Sequence, residues 1–410
     1  MHSAPFAFRL RGCLRSTAIF FTLVLICVLT AQAQTYTVLH SFSVSDGEFP
    51  YSGVTVASGG ILYGTTSRGG TYQGGVAYRL KPAGAAWSFM LLYEFGNGND
   101  GSEPYPNLVV GTDGALYGTA SLGGSGNGTV FNLKPQPTVC KTTRCPWLES
   151  TIYSFQGSDG SLPAYGALAF DQQGNAYGTT QFGGTYNKGT VYKLNRQGQQ
   201  WTETVLYSFG SSATDGYNPL HNVVFDHAGN LYGTAYQGGA NGGGAVFQLV
   251  PSGGSWTESL IASFPAGAQP QAGLIIDAAG NLYGATSGVG ANNTSQVFEL
   301  SPSGNSWQLK TLYSFANTAR FDLGPVGNLA MDHSGNLYGA TYSLGTHDKG
   351  NIFELSPSGN SWTYTDLYDF RGGTDGGGPI GDLSLDANGN LYGTTQNNGG
   401  GFGVVWQLAP

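Results

Sequence analysis

Asp332-His333-Ser334-Gly335-Asn336-Leu337-Tyr338-Gly339-Ala340-Thr341 is the cleanest copy of a phrase that returns along the chain. Its Tyr-Gly pair recurs at Tyr63, Tyr117, Tyr177, Tyr232, Tyr283, Tyr338 and Tyr392, seven copies spaced 51 to 60 residues apart. A period of this size marks a repeat architecture, in which each copy buries its apolar face only against its neighbours.

Outward from that phrase each copy reads as four short segments. The first is apolar and ends in a turn (Val223-Val224-Phe225-Asp226), and the second is Leu-Tyr-Gly-Thr. The third is of the Val246-Phe247-Gln248-Leu249 type, and the fourth is Trp-x5-Tyr-x-Phe. All are too short for helices, rich in β-branched and aromatic residues and punctuated by Gly, Asn, Asp and Pro, which is strand chemistry. The turn between the first two segments is Asp-x-x-Gly-Asn in five copies, from Asp171, Asp226, Asp277, Asp332 and Asp386. Gly where positive φ is needed and an Asp that bonds nearby amides make a hairpin turn. Turn capping is favoured over calcium for these aspartates, since calcium takes six to eight oxygens and a lone Asp per turn supplies few of them. Two copies depart from the phrase, with Ala57 in the first and Asp113 displaced in the second, and that tolerance favours structure over ligand binding.

In the fourth segment Trp87, Trp147, Trp201, Trp307 and Trp362 stand six residues before Tyr93, Tyr153, Tyr207, Tyr313 and Tyr368, with a Phe two residues further on. Even spacing predicts all three side chains on one strand face. The ends of the array are complementary. Tyr36-Thr37-Val38-Leu39-His40-Ser41-Phe42 is a fourth segment, and Val404-Val405-Trp406-Gln407-Leu408 is a third. Pairing the two uses every strand and leaves no open break in a ring. The expected fold is all-β: a seven-bladed β-propeller of four-stranded antiparallel blades, closed by the N-terminal strand joining the last blade.

Residues 1–33 stand outside the repeat. Arg9, Arg11 and Arg15, the apolar run Ala18 to Leu29 and Ala31-Gln32-Ala33 have the form of a signal peptide cleaved before Gln34. The apolar run is short of the ~20 residues that a spanning helix needs. The expected location is secreted or periplasmic, residues 34–410 form the propeller, and no membrane span is expected in the mature chain. Losing three arginines takes the formal charge from −8 to −11. With no basic stripe to track phosphates, nucleic acid is excluded as a partner class. Cys140 and Cys145 remain in an insertion at about 135–146, and two cysteines in one loop of an exported protein are expected to form a disulfide. No metal site, no cofactor and a monomer are expected.

The Leu-Tyr-Ser-Phe, Asp-Gly-x-x-Pro, Asp-x-x-Gly-Asn-Leu-Tyr-Gly-Thr-Thr, Gly-Gly and Gly-Thr-Val-Phe-x-Leu phrases together resemble the GloVer tandem repeat of exported bacterial proteins, over essentially all of residues 36–408. The Gly-Asn-Leu-Tyr hairpin is similar, more weakly, to NHL-type propeller repeats. The GloVer resemblance implies an extracellular repeat protein, often held by a C-terminal anchor, with no assigned catalytic activity. Here Ala409-Pro410 follow the last strand closely, so no anchor is expected.

In a four-stranded meander the loops from strand two to three and from strand four to the next blade emerge on one face, which here collects the sequence variation. Asp46-Gly47, Asp100-Gly101, Asp159-Gly160, Asp215-Gly216 and Asp375-Gly376 fall there, and turn chemistry is favoured for them over a shared ion. The sixth blade carries charges instead: Arg320-Phe321-Asp322 leads into it, and His347-Asp348-Lys349 lies in its strand two to three loop. Arg320, Asp322, His347, Asp348 and Lys349 are the candidate polar site, with Tyr72, Tyr186 and Tyr236 as aromatic platforms for sugar rings. No Gly-x-Ser-x-Gly elbow, phosphate loop or His-Glu-x-x-His motif occurs. The expected function is an exported, non-catalytic binding or scaffold protein for a glycan or partner protein. The alternative is a carbohydrate-active lyase or glycosidase with residues scattered over one mouth of the ring.

Overall fold

The computed structural model describes residues 34–96, 98–136, 147–163, 165–288, 295–315, 323–397 and 400–410. Seven antiparallel sheets follow one another in chain order. Blade 3 shows the unit: an inner strand Ala169–Phe170, then Ala176–Thr180, Thr190–Gln197 and the outer strand Gln200–Ser208. Blade 4 adds a short pair, Gly216–Tyr217 with Gln237–Gly238. Blade 7 is built from both ends of the propeller. Ser384–Leu385, Leu391–Thr395 and Val404–Ala409 are completed by the strand Thr35–Ser41, paired antiparallel so that Tyr36 faces Leu408. The closure expected from the phase of the two ends is the closure observed. Among the described residues the only helical element is a three-residue 3-10 turn, Ser58–Gly60, and no helix is long and apolar enough to cross a membrane.

The core consists of seven apolar clusters, each shared by two adjacent blades. Phe95, Phe155, Phe209, Phe264 and Phe370 are fully buried in them. Each such side chain removed from water contributes about 1.5–3 kcal/mol, as do the buried Leu, Val and Ile around it. The ring shuts through the cluster of Phe42, Val54, Leu62, Tyr392 and Val405, which joins blade 7 to blade 1.

One expectation about this packing is corrected. A register shift interrupts the pairing of the third and outer strands in every blade, as between Ala77 and Tyr78 in blade 1. The extra residue turns the outer strand over, so side chains six apart across it point to opposite faces. Trp87 therefore packs backwards onto Tyr392 of blade 7, with ring centroids 6.1 Å apart, while Tyr93 and Phe95 pack forwards against Phe131 of blade 2. Trp147 on Tyr63, Trp201 on Tyr117, Trp307 on Tyr232 and Trp362 on Tyr283 repeat the backward contact. The outer strand thus holds both neighbours.

Cys140, Cys145, Arg320, Asp322 and the segment 1–33 lie outside the described residues.

Candidate functional site at the axial mouth

Each copy carries a proline at the same place ahead of its inner strand: Pro50, Pro104, Pro163, Pro219, Pro270, Pro325 and Pro379. The residue before it is left-handed in most copies, with φ of 56° at Phe49, 54° at Glu103, 55° at Leu162, 57° at Asn218 and 51° at Gln269. Such conformations cost about 1–3 kcal/mol in a non-glycine residue and persist only where surrounding bonds impose them. Here both backbone groups are held. Glu103 donates its N–H to the Gly74 carbonyl of the preceding blade (2.9 Å), and its own carbonyl accepts from Ser121 (3.2 Å). Gln269 does the same with Gly243 and Ser287 (2.9 and 3.1 Å). The prolines bend the chain toward the axis, and the residues just after them form the mouth.

All seven blades contribute to a small axial cavity of about 10 Å3, lined among others by Tyr51, Asn107, Tyr165, His221, Gln271 and Asp382. Amide and carboxylate groups cross the ring there. Asp382 Oδ2 accepts from Asn107 Nδ2 (3.0 Å) and Asn328 Nδ2 (3.2 Å), and its Oδ1 accepts from the Asn328 backbone N–H (2.8 Å). Asn328 also donates to Asn222 Oδ1 (2.7 Å) and accepts from the Gly273 N–H (2.6 Å). The approach is close enough that a Cβ on Gly53 would lie 2.0 Å from the Asp382 carbonyl oxygen. Burial pushes the Asp382 carboxyl up to about 6, against the lowering effect of the Asn328 N–H, and burial pushes His221 down to about 4.

Around this cavity runs an arc of aromatic rings. Tyr51 and Tyr105 lie 5.2 Å apart, Tyr105 and Tyr165 5.0 Å, and Tyr165 and His221 6.3 Å. Tyr105 donates to Glu103 Oε2 (2.9 Å), and Arg68 reaches Glu103 Oε1 at 3.8 Å. A second chain of bonds runs from Tyr342 to Gln396 Oε1 (3.2 Å) and from Gln396 Nε2 to the Tyr51 hydroxyl (2.6 Å), joining blades 6, 7 and 1. Burial raises the phenol pKa of Tyr51, Tyr105 and Tyr165, so all three stay neutral donors and acceptors.

The residues singled out from the sequence divide. Tyr236 joins the mouth, half-buried, with its hydroxyl on Gln269 Oε1 (3.0 Å). Tyr72 and Tyr186 are 64% and 49% exposed, and both lie beside the outer strands, Tyr186 against Gly210. Asp348 and Lys349 line a crevice of about 440 Å3 between blades 6 and 7, with Tyr342, Gly377, Gly378 and Asn397, while His347 is exposed outside it. Missed by sequence reasoning were Tyr51, Tyr105, Tyr165, Asn107, His221 and Asp382. The signal was the proline repeat, read only as far as the proline.

The Asp-Gly loops are capped turns. Asp100 accepts from the Gly96 and Gly98 N–H groups (2.8 and 3.1 Å) and from Tyr93 OH (3.1 Å). Asp375 takes Arg371 N–H, Gly373 N–H and Tyr368 OH in the same way (2.9, 3.2 and 3.0 Å).

A family model described as the Gloeobacter/Verrucomicrobia repeat matches residues 21–146 and 138–322. No curated protein matches the chain. Among solved structures, a protein from Lactobacillus plantarum is similar at 16% identity, covering 82% of this chain and 89% of its own, with a TM-score of 0.55. An ulvan lyase bound to a GlcA(1-4)Rha3S unit gives 10%, 90%, 95% and 0.53. A provisionally named 6-phosphogluconolactonase from Bacteroides uniformis gives 16%, 81%, 88% and 0.52. At these identities the likeness speaks for the fold alone.

Proposed function

The chain belongs to the Gloeobacter/Verrucomicrobia repeat family, and from that premise we propose that it is an exported, non-catalytic binding propeller that takes a glycan at its axial mouth. The observation that carries the reading is the Tyr51–Tyr105–Tyr165 arc beside Gln271, Gln396 and Tyr342. Flat aromatic faces next to uncharged amides and hydroxyls match the apolar faces and the hydroxyl edges of sugars. The ulvan lyase holds a saccharide on a scaffold of similar shape, which makes the fold compatible with such a ligand.

Two features favour binding over turnover. The carboxylate–imidazole pair with the most displaced pKa values, Asp382 and His221, faces a cavity of about 10 Å3, far below the volume of a sugar ring. Glu103, at the mouth itself, is already engaged by Tyr105 and Arg68 rather than left free as a hydrolytic carboxylate. Export with removal of residues 1–33 and a Cys140–Cys145 bridge belong to the same proposal.

A glycan array probed with residues 34–410 tests it. Tyr51→Ala, Tyr105→Ala and Tyr165→Ala should each weaken a positive signal about tenfold, the loss of one stacking contact. Tyr72→Ala and Tyr186→Ala should leave it unchanged. Cleavage of a bound polysaccharide would replace the proposal with the enzyme reading, and undiminished binding by the three mouth variants would remove the site.

A further inference from the structure

Behind the tyrosine arc the mouth ends in the axial cavity of about 10 Å3, room for one water or one ion. His221 lines it and is 6% exposed, and its Nδ1 has no hydrogen-bond partner among the described residues. Asn107 lines it too, with Oδ1 buried and equally unpartnered. Asp382, 9% exposed, completes the set, with Oδ1 4.0 Å from His221 Nδ1. Among the described residues no Lys or Arg side chain lines the cavity. Two buried acceptor atoms without a partner at one cavity, beside a buried carboxylate, are a costly arrangement unless a cation or a water joins them.

We infer that this cavity is a binding site for one divalent transition-metal ion, held by His221 Nδ1, Asp382 Oδ1 and Asn107 Oδ1 and open toward the mouth. The 4.0 Å separation is spanned by two bonds of about 2.0–2.2 Å at a wide angle. One imidazole nitrogen with two oxygens suits zinc or manganese. Calcium, which takes six to eight oxygens, is a poor match. The supporting bonds already exist. Asn107 Nδ2 and Asn328 Nδ2 fix Asp382 Oδ2, and the Asn328 backbone N–H fixes Oδ1, as outer ligands do around a metal carboxylate. The three ligands come from blades 2, 4 and 7, so the ion would tie together blades that share no strand pairing. The inference stands whether or not the mouth takes a glycan.

The test is calorimetric and thermal titration of EDTA-stripped residues 34–410 with ZnCl2, MnCl2 and CaCl2. One equivalent of Zn2+ or Mn2+ should bind, and at about 100-fold excess over Kd the melting temperature should rise by roughly 5 °C. Ca2+ should do neither. Asp382→Asn, nearly isosteric, should weaken binding at least tenfold, and His221→Ala likewise. Asn107→Asp should tighten binding at least tenfold, because it places a second carboxylate at an existing ligand position. Zinc binding that survives both Asp382→Asn and His221→Ala would assign the ion to surface histidines such as His227, His333 or His347 and overturn the site. Absence of stoichiometric binding in the wild type and in Asn107→Asp would leave a water there and overturn it as well. Should the variants fold poorly, anomalous diffraction at the zinc edge from wild-type crystals decides, with a peak among His221, Asp382 and Asn107 expected and its absence fatal.

Discussion

The two ends of each inner hairpin are built by opposite means. At the turn end, Asp332 Oδ1 accepts from the Ser334 and Asn336 N–H groups (2.8 and 2.9 Å), and Oδ2 accepts from Asn336 Nδ2 and Tyr338 OH (2.9 and 3.2 Å). All four bonds close within six residues, and the same set recurs around Asp226 and Asp386. At the mouth end, Asn107 bonds Asp382 across 275 residues of chain, Asn328 bonds Asn222 across 106 and Ser384 bonds Val54 across 330. A repeat can standardise what is solved locally. Where one side chain from each blade meets at a point, the copies cannot all be alike, because identical side chains would collide or leave atoms unpaired. The variable end is therefore where specificity can reside.

The contrast is tested most severely where the ring closes. Deleting residues 34–43 removes Tyr36, stacked 4.0 Å from Tyr368, together with Phe42, which is 4% exposed, and so opens the contacts of blade 7 with both neighbours. Truncating one buried Phe alone costs about 3–5 kcal/mol, a large part of the ~5–15 kcal/mol that holds a domain folded. The deletion should abolish a cooperative melting transition, and an unchanged transition would refute closure as a source of stability. Next in size is Gly53→Val at the axis, where even a Cβ meets the Asp382 carbonyl oxygen. Overpacking of this kind should cost about 1–3 kcal/mol in denaturant titration. Asp332→Ala at the turn end should cost only about 1 kcal/mol, since water can reach the freed N–H groups. Blade 1 already has Ala57 at the equivalent place and closes its turn with Ser58–Gly60 instead. If Gly53→Val proves milder than Asp332→Ala, the distinction between local and ring-level construction fails.

That distinction also governs what the sequence made legible. Seven copies, four strands per copy and the pairing of Tyr36–Phe42 with Val404–Leu408 follow from period and phase, which are local quantities. The capping roles of Asp171 and Asp100 follow from turn chemistry within a few residues. Even spacing misled in the outer strand because a single unpaired residue near Leu92 reverses the faces, and a bulge has no fixed residue signature here. The axial groups were illegible for a different reason. Asn107, His221 and Asp382 are unremarkable in their own copies, and only the closed ring brings them together. Charge scarcity drew attention to His347-Asp348-Lys349, yet rarity marks exposure as readily as function, and His347 is exposed.

The smallest predicted effect lies where local and ring-level construction overlap, at the outer wedge between blades 2 and 3. Asp159 accepts from Tyr153 OH and from the Gln156 N–H (2.7 Å) within its own loop, while Glu203 of the next blade's outer strand stands close enough to feel its charge. Burial first, and Asp159 second, push the Glu203 carboxyl up to about 7, and Glu149 and Glu258 are raised to the same level, chiefly by burial. A carboxyl raised on folding holds its proton in the native state after the unfolded chain has released it. Its stabilising contribution is therefore complete below the unfolded value of about 4.3 and is lost as pH climbs from there through about 7. Asp332, Asp226 and Asp386 run the other way. Burial opposes ionisation there, but the Asn and backbone N–H groups outweigh it and lower the pKa, so their contribution is lost only as pH falls below the ordinary Asp range. The axial pair largely cancels over the intermediate interval, because Asp382 raised to about 6 and His221 lowered to about 4 oppose each other. Stability should thus peak near pH 4, between the ordinary Asp and Glu ranges, and decline toward pH 8. Glu203→Gln removes one titrating group without changing the shape of the wedge. Its melting temperature should match the wild type near pH 4.5 and exceed it at pH 8, with the difference opening between those values. A variant curve parallel to the wild type at every pH would show that Glu203 is solvated in the folded ring and that its wedge, like the turn end, is settled locally.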